Sequence, residues 1–415
     1  MCETKRNARN GLPDLSSGSW VCKTPENKKT AVFFKENGLG IRLQPDSYGM
    51  GKWVARAAVQ PQKTYALEAQ CETEADICDV YAIFTLFQKD GAMTIREHFE
   101  TAERDGNTIR YGAVFKAPDN AVEMEVELWL KGRGQAVLWQ KAVCTECEEI
   151  PERMVKIALG YIEPEYDHAH TYDENRQKIL DSIDACGSRG ADLIVLSETS
   201  YSLGVSKQSA YEDFETEEGS MCAAIREKAR QFGAYIVYNF HERDGEDYCN
   251  TSILIDRNGN TAGKFRKTHL TVTEFDMGLT PGEEFPVFST DFGKIGMLIC
   301  FDQFFPRTAE RLADNGAEII CVSTIGDACE KSSARAMDNG VYFAVCGTQC
   351  VNACGHQAAR VIAPDGKILA QTGKSRMPAV CSINLNEKKR MEWLSLGPAH
   401  SDIRGVYRFE RNPHI

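Results

Sequence analysis

Three residues of this chain can form an acyl-transfer site between them. Cys300 ends the apolar run Ile295-Gly296-Met297-Leu298-Ile299, Glu198 follows Leu193-Ile194-Val195-Leu196, and Lys267 closes Gly263-Lys264-Phe265-Arg266. A thiol attacks a carbonyl carbon, a carboxylate takes the thiol's proton, and a fixed ammonium holds the negative oxygen that develops. Each also has a plainer explanation. Cysteine in an apolar run packs as a small hydrophobe, a glutamate after a buried strand is a loop or cap residue, and a lysine beside arginine and histidine is surface charge. The choice depends on the elements that would bring the three together.

Ile295 to Ile299 reads as a fully buried strand, being short, apolar and without alternation. Phe305 to Ala313 has helical spacing with Pro306 suited to a first turn, and Asp302 and Gln303 stand near its start. A thiol between strand and helix sits among unpaired backbone N–H groups, expected to lower its pKa and to hold an oxyanion. After Pro151, strands and helices alternate. Strands are expected at 154–162, 191–198, 234–238, 318–323 and 341–347, and helices at 172–189, 220–232 and 331–340. Hairpins are expected over 252–267 and around Pro364-Asp365-Gly366. This order predicts a layered α/β domain whose strand ends gather in one crevice.

From Trp20 to about Val143 the texture is β throughout, with turns such as Lys89-Asp90-Gly91 between short apolar or alternating segments, which predicts an all-β, jelly-roll-like sandwich. The expected organisation is a flexible tail over 1–18, the sandwich over 19–149, the α/β domain over 153–400 and a C-terminal tail over 401–415. Cys144 to Glu152 reads as the charged connection, its Cys-x-x-Cys lacking a second pair at zinc spacing.

The 415 residues carry 60 acidic against 48 basic side chains, a net charge of −12, which argues against nucleic acid or an anionic membrane as partner. No apolar run approaches the roughly 20 residues of a membrane span. Residues 1–7 have no apolar stretch behind them, so no secretory signal is read, and a cytoplasmic location is expected for the 16 cysteines as free thiols.

The segments Leu193 to Glu198, Gly263 to Leu270 with its Lys267-Thr268-His269, Thr280-Pro281-Gly282, Gly293 to Asp302 and Arg335 to Tyr342 resemble, in order, the motifs of the nitrilase superfamily of carbon–nitrogen hydrolases. The resemblance runs from about Met154 onward. It implies a four-layer αββα nitrilase-like sandwich and a Glu–Lys–Cys triad, carried by Glu198, Lys267 and Cys300. It also implies a second glutamate shortly before the Pro-Gly turn, which Glu274 matches best. The expected reaction is hydrolysis of a non-peptide carbon–nitrogen bond through a Cys300 thioester, with no metal or organic cofactor. Phe301-Asp302 after the cysteine looks more like the amidase and N-carbamoyl-amine branches than the Trp-Glu of nitrile-cleaving members. Phe301 supplies an oxyanion N–H in this scheme, and Tyr201 and Gln303 are expected in the pocket. A homodimer or larger oligomer is expected, with the C-terminal tail at its interface.

Other arrangements compete. Cys346, Cys350, Cys354 and His356 superficially invite a metal, although 341–347 reads as strand. His168 and His170 read as loop residues, and Cys300 with His269 could form a Cys–His pair. In the sandwich, Trp53, Tyr65, Tyr81, Trp129 and Trp139 could stack on a carbohydrate, but strand aromatics are more often core. The remaining alternatives are a nitrile hydrolase, or a ligand- or carbohydrate-binding protein with an idle catalytic fold.

Overall fold

The computed structural model describes residues 11–14, 19–27, 30–162, 169–207, 209, 211–328, 330–351, 357–372, 377–393 and 397–410. The chain divides into two compact units, one formed by Met1–Pro151 with Lys388–Ile415 and the other by Glu152–Glu387.

The first unit contains β1 (Val21–Lys23), β2 (Ala31–Phe34), β3 (Leu39–Leu43), β4 (Gly49–Ala58), β5 (Thr64–Thr73), β6 (Val80–Gln88), β7 (Met93–His98), β8 (Thr101–Asp105), β9 (Thr108–Lys116), β10 (Ala121–Gly132) and β11 (Ala136–Cys147). They form a five-stranded sheet, β1-β4-β10-β6-β7, and a six-stranded sheet, β2-β3-β11-β5-β9-β8. Period-2 alternation decides what each face meets. On β10, Met124, Val126, Leu128 and Leu130 enter the core between the sheets, while Glu125 and Glu127 face the other way and pair with Arg56 and Lys52. Trp53, Tyr65 and Trp139 are buried in this core, the favoured reading of strand aromatics. Cys144 and Cys147 lie inside β11 rather than in a connection, and neither is in a disulfide.

The second unit contains β12 (Met154–Gly160), α1 (Tyr172–Gly187), β13 (Leu193–Leu196), α2 (Ser220–Phe232), β14 (Tyr235–Asp244), β15 (Asp247–Ile255), β16 (Thr261–Arg266), α3 (Val272–Asp276), β17 (Val287–Ser289) and β18 (Lys294–Ile299). It continues with α4 (Pro306–Asp314), β19 (Ile319–Ser323), α5 (Glu330–Asn339), β20 (Tyr342–Val351), β21 (Gln357–Ile362), β22 (Ile368–Gln371) and β23 (Ala379–Asn384). The strands make two six-stranded sheets, β16-β15-β14-β13-β12-β23 and β17-β18-β19-β20-β21-β22. Each has a parallel centre, β12-β13-β14 or β18-β19-β20, between antiparallel margins. Alternate residues separate the layers. Ile157, Leu159, Leu193, Val195 and Val237 share a core with Ile295, Met297, Ile319, Cys321 and Val345 of the other sheet. Ala158, Ile194, Leu196, Ile236 and Tyr238 face Ile179, Ile183, Met221 and Ile225 of α1 and α2. On the far side, Ala309 and Leu312 of α4 and Ala336 of α5 close over the second sheet, giving the αββα order. Each buried Leu, Ile, Val or Met contributes roughly 1.5–3 kcal/mol of transfer free energy.

The chain then returns to the first unit with β24 (Arg390–Trp393), β25 (Gly397–Asp402) and α6 (Ile403–Glu410). Phe409 is buried in the sandwich core, its ring stacked 5.3 Å from His98, and Lys388 pairs with the buried Glu97 at 2.6 Å. The second unit therefore ends at Glu387 and not near 400. Phe409 is occupied within the chain, so the described part of the tail does not offer it to an oligomer interface. The expected flexible tail falls largely outside the described residues, as do His168, Cys354 and His356.

Candidate active site

The acid, the cation and the thiol each stand just past the end of a strand. β13 is buried along its whole length and stops at Leu196 because the chain turns at Thr199, whose φ is +47°. Its end is tied to the neighbouring sheet, since Ser323 Oγ donates to the Leu196 carbonyl at 2.8 Å and Glu198 N donates to Thr324 O at 3.3 Å. β16 delivers Lys267, whose N–H donates to Asn250 O at 2.9 Å and whose carbonyl accepts from Gly282 N at 2.9 Å. The Pro-Gly turn needs glycine there, because a Cβ on Gly282 would run into the Arg266 carbonyl oxygen. β18 delivers Cys300 with φ of +41°, on a 3₁₀ turn over Cys300–Phe304 that precedes α4. A left-handed backbone at a non-glycine residue costs roughly 1–2 kcal/mol, so both turns are held by their surroundings.

Asp302 is fully buried and does much of that holding. Its Oδ2 accepts from Ile299 N at 3.1 Å, and its Oδ1 accepts from His269 N at 2.9 Å and Thr268 Oγ1 at 2.8 Å. It thus ties the cysteine turn to the residues following Lys267. His269 bonds Asp302 through Nδ1 and stacks on Phe305 at 3.9 Å, whereas Glu198 and Lys267 are the charged groups that act on the Cys300 thiol. This arrangement provides a carboxylate partner for the thiol in place of a Cys–His pair.

Glu198, Lys267 and Glu274 form one buried cluster. Lys267 Nζ donates to Glu198 Oε1 at 3.0 Å and to Glu274 Oε1 at 2.8 Å, and its side chain is 2% exposed. Of its three N–H bonds, one remains for a substrate oxygen. Glu274 is seated by the capping box of α3, its Oε2 accepting from Thr271 N at 2.8 Å and Thr271 Oγ1 at 2.9 Å. Both of its oxygens are therefore engaged twice. Among the described residues Glu198 Oε2 accepts one hydrogen bond, from Ile325 N at 3.2 Å, so it is the oxygen with capacity for a proton.

Electrostatics follow from burial and these pairings. Burial pushes the Cys300 thiol up to about 12, with Glu198 reinforcing it and Lys267 only partly opposing. This corrects the expectation of a thiolate made acidic by neighbouring N–H groups: the resting sulfur keeps its proton. Burial disfavours the charged forms of Lys267 and Glu274, yet the opposite charges outweigh it, holding Lys267 above and Glu274 below their ordinary ranges.

The expected pocket residues separate. Phe301 lies beside Cys300 with its ring 5.2 Å from Phe305 and 5.6 Å from Phe304. Gln303 is buried behind the site, its Nε2 donating to Cys300 O at 2.9 Å and its Oε1 accepting from Ser332 Oγ at 2.9 Å, so it braces the turn and does not line a pocket. Tyr201 pairs with Tyr172 at 5.0 Å and packs against the apolar layer under α1 and α2. Sequence reasoning missed Asn250, whose Nδ2 donates to Glu198 Oε1 and Glu274 Oε1, each at 2.9 Å. A polar run, Asn250-Thr251-Ser252, in the middle of β15 and just before the apolar Ile253-Leu254-Ile255 was the available signal. Among the described residues no group of three or more His, Cys, Asp or Glu is arranged to hold a metal ion, and no helix is long and apolar enough to cross a membrane.

A half-buried thiol, a buried carboxylate and a buried ammonium thus stand together at the strand ends of an αββα sandwich. Residues 156–387 match the family model described as carbon-nitrogen hydrolase. A nitrilase of Pyrococcus abyssi is 34% identical over 197 residues, covering 46% of this chain and 73% of the relative. A beta-ureidopropionase of Arabidopsis thaliana is 32% identical, covering 37% of this chain and 40% of the relative. The crystal structure of a carbon–nitrogen hydrolase from Helicobacter pylori G27 aligns with a TM-score of 0.48 at 20% identity, over 56% of this chain and 90% of that one. The chain belongs to the carbon–nitrogen hydrolase family of the nitrilase superfamily.

Proposed function

We propose that this protein hydrolyses a carboxamide or N-carbamoyl compound through a thioester on Cys300, releasing ammonia or an amine. The observation that carries the reading is the bridge from Lys267 to Glu198 and Glu274, with Glu198 and Lys267 the charged groups that act on the Cys300 thiol. Glu198 takes the thiol proton as sulfur attacks the carbonyl carbon. The electron pair displaced onto oxygen is met by the free N–H of Lys267 and the backbone N–H of Phe301, one such donor being worth about 3 kcal/mol. Glu198 returns the proton to the departing nitrogen, and the C–N bond breaks to leave the thioester. Water then gives a proton to Glu198, its oxygen attacks the thioester carbonyl, and the acid and the thiol are released. Glu274, with every oxygen engaged, serves as a fixed charge that orients Lys267.

The ureido option draws support from the relative named for ureidopropionase activity. The test is ammonia release from matched carboxamides, N-carbamoyl amines and nitriles. Turnover of an amide or carbamoyl member, lost by about two orders of magnitude or more in Cys300→Ala and Glu198→Gln, is expected. Turnover of the nitriles alone would overturn the reading.

A further inference from the structure

We propose that Asn250 is a positioning residue for this reaction: its carboxamide, turned by Asn239, holds Glu198 and Glu274 side by side through their Oε1 atoms and leaves the second oxygen of Glu198 for the reaction. The inference rests on the reading of Glu198 as base.

The two carboxylates share two double donors. Lys267 Nζ reaches both Oε1 atoms at 3.0 and 2.8 Å, and Asn250 Nδ2 reaches the same two atoms at 2.9 Å each. The four bonds close a ring in which one ammonium offsets two negative charges and the amide supplies the remaining donors. Because both Oε1 atoms are held in the ring, Oε2 is the oxygen of Glu198 that the ring leaves available, with one bond from Ile325 N at 3.2 Å. The titratable groups facing this ring are Lys267 after β16, Glu274 on α3 and Cys300 on the turn after β18.

The orientation of the amide is dictated by a backbone donor. Thr199 N, in the strained turn after Glu198, can only donate, and it donates to Asn239 Oδ1 at 2.8 Å. Asn239 Nδ2 must then face away, where it donates to Asn250 Oδ1 at 2.8 Å and Thr251 O at 3.1 Å. Asn250 is left with Nδ2 toward the carboxylates. Both asparagines are buried, so no solvent can substitute for a lost partner.

The experiment follows alkylation of Cys300 by iodoacetamide against pH, read on the Cys300 peptide by mass spectrometry, so it needs no knowledge of the substrate. Wild type, Glu198→Gln, Asn250→Asp, Asn250→Ser and Asn239→Asp are compared after circular dichroism confirms the fold. Asn250→Asp places a third carboxylate on the one ammonium, and Asn250→Ser removes a donor. Asn239→Asp cannot donate to residue 250, so the Asn250 amide turns its oxygen to the carboxylates. In each case the pair takes up a proton at higher pH, and the acid limb of the rate should move up by about one pH unit, a roughly tenfold loss at fixed pH. An acid limb unmoved in every folded variant overturns the proposal, as does failure of all three asparagine variants to fold, which would assign these residues to folding alone. If Glu198→Gln leaves the wild-type profile unchanged, the underlying reading of Glu198 fails instead.

Discussion

With the Cys300 thiol pushed up to about 12, the proposed reaction needs its proton to leave as the new bond forms, and Glu198 is the acceptor proposed for it. Removing the cation should therefore be worse than removing the nucleophile for the fold. Lys267→Met strands two buried carboxylates and should lower stability by about 3–5 kcal/mol in urea unfolding of the hydrolase unit, whereas Cys300→Ala should leave it nearly unchanged. Glu274 gives a pH signature. Its carboxyl is held below the ordinary range in the folded chain and is ordinary in the unfolded one, so its stabilisation is fully present above about pH 4.3 and drains as pH falls through the folded value. The melting temperature should drop more steeply below that pH in wild type than in Glu274→Gln. Glu198, Lys267 and Cys300 were legible in the sequence because each interrupts or closes an apolar run with a reactive group. Asn250 was not, because an amide inside a strand has no chemistry until its neighbours are known. The acidity of the thiol was misread for the same reason, since burial beside a carboxylate is a tertiary fact.

At the scale of elements, the site exists because the parallel strands β13 and β18 and the antiparallel margin strand β16 end close together and their turns are locked to each other. Asp302 is the lock between the cysteine turn and the lysine turn. Asp302→Ala leaves the Ile299 and His269 N–H groups without their acceptor, and it should cost about 3 kcal/mol in a denaturation midpoint while slowing Cys300 alkylation. Gly282→Ala should displace the Arg266–Lys267 backbone and reduce amide turnover without any change in the reactive side chains. The alternation of strands and helices read from sequence matches the elements from β12 to β22 closely, because buried parallel strands are apolar along their whole length. The common plan of the two sheets was illegible: it lies in strand pairing, and the halves share no repeat. Gln303 was misplaced because one position along a 3₁₀ turn separates a residue facing substrate from one facing the interior.

At the scale of the whole molecule, the chain starts and finishes in the sandwich and builds the hydrolase between. The return after Glu387 could not be read from sequence, since the segment from Lys388 is short and charged until Phe409 reveals where it packs. Phe409→Ala should destabilise the sandwich by about 3–5 kcal/mol, seen as a lower midpoint for one of two unfolding transitions while that of the hydrolase unit stays in place. The function rests on the hydrolase unit, and its central claim is a covalent one. The most direct test is intact-protein mass spectrometry of the full chain quenched in acid during turnover of an amide or N-carbamoyl compound. The account predicts a mass increase equal to the acyl group on wild type, mapped to Cys300 and absent from Cys300→Ala. Turnover without any adduct, or with one that persists in Cys300→Ala, would contradict it.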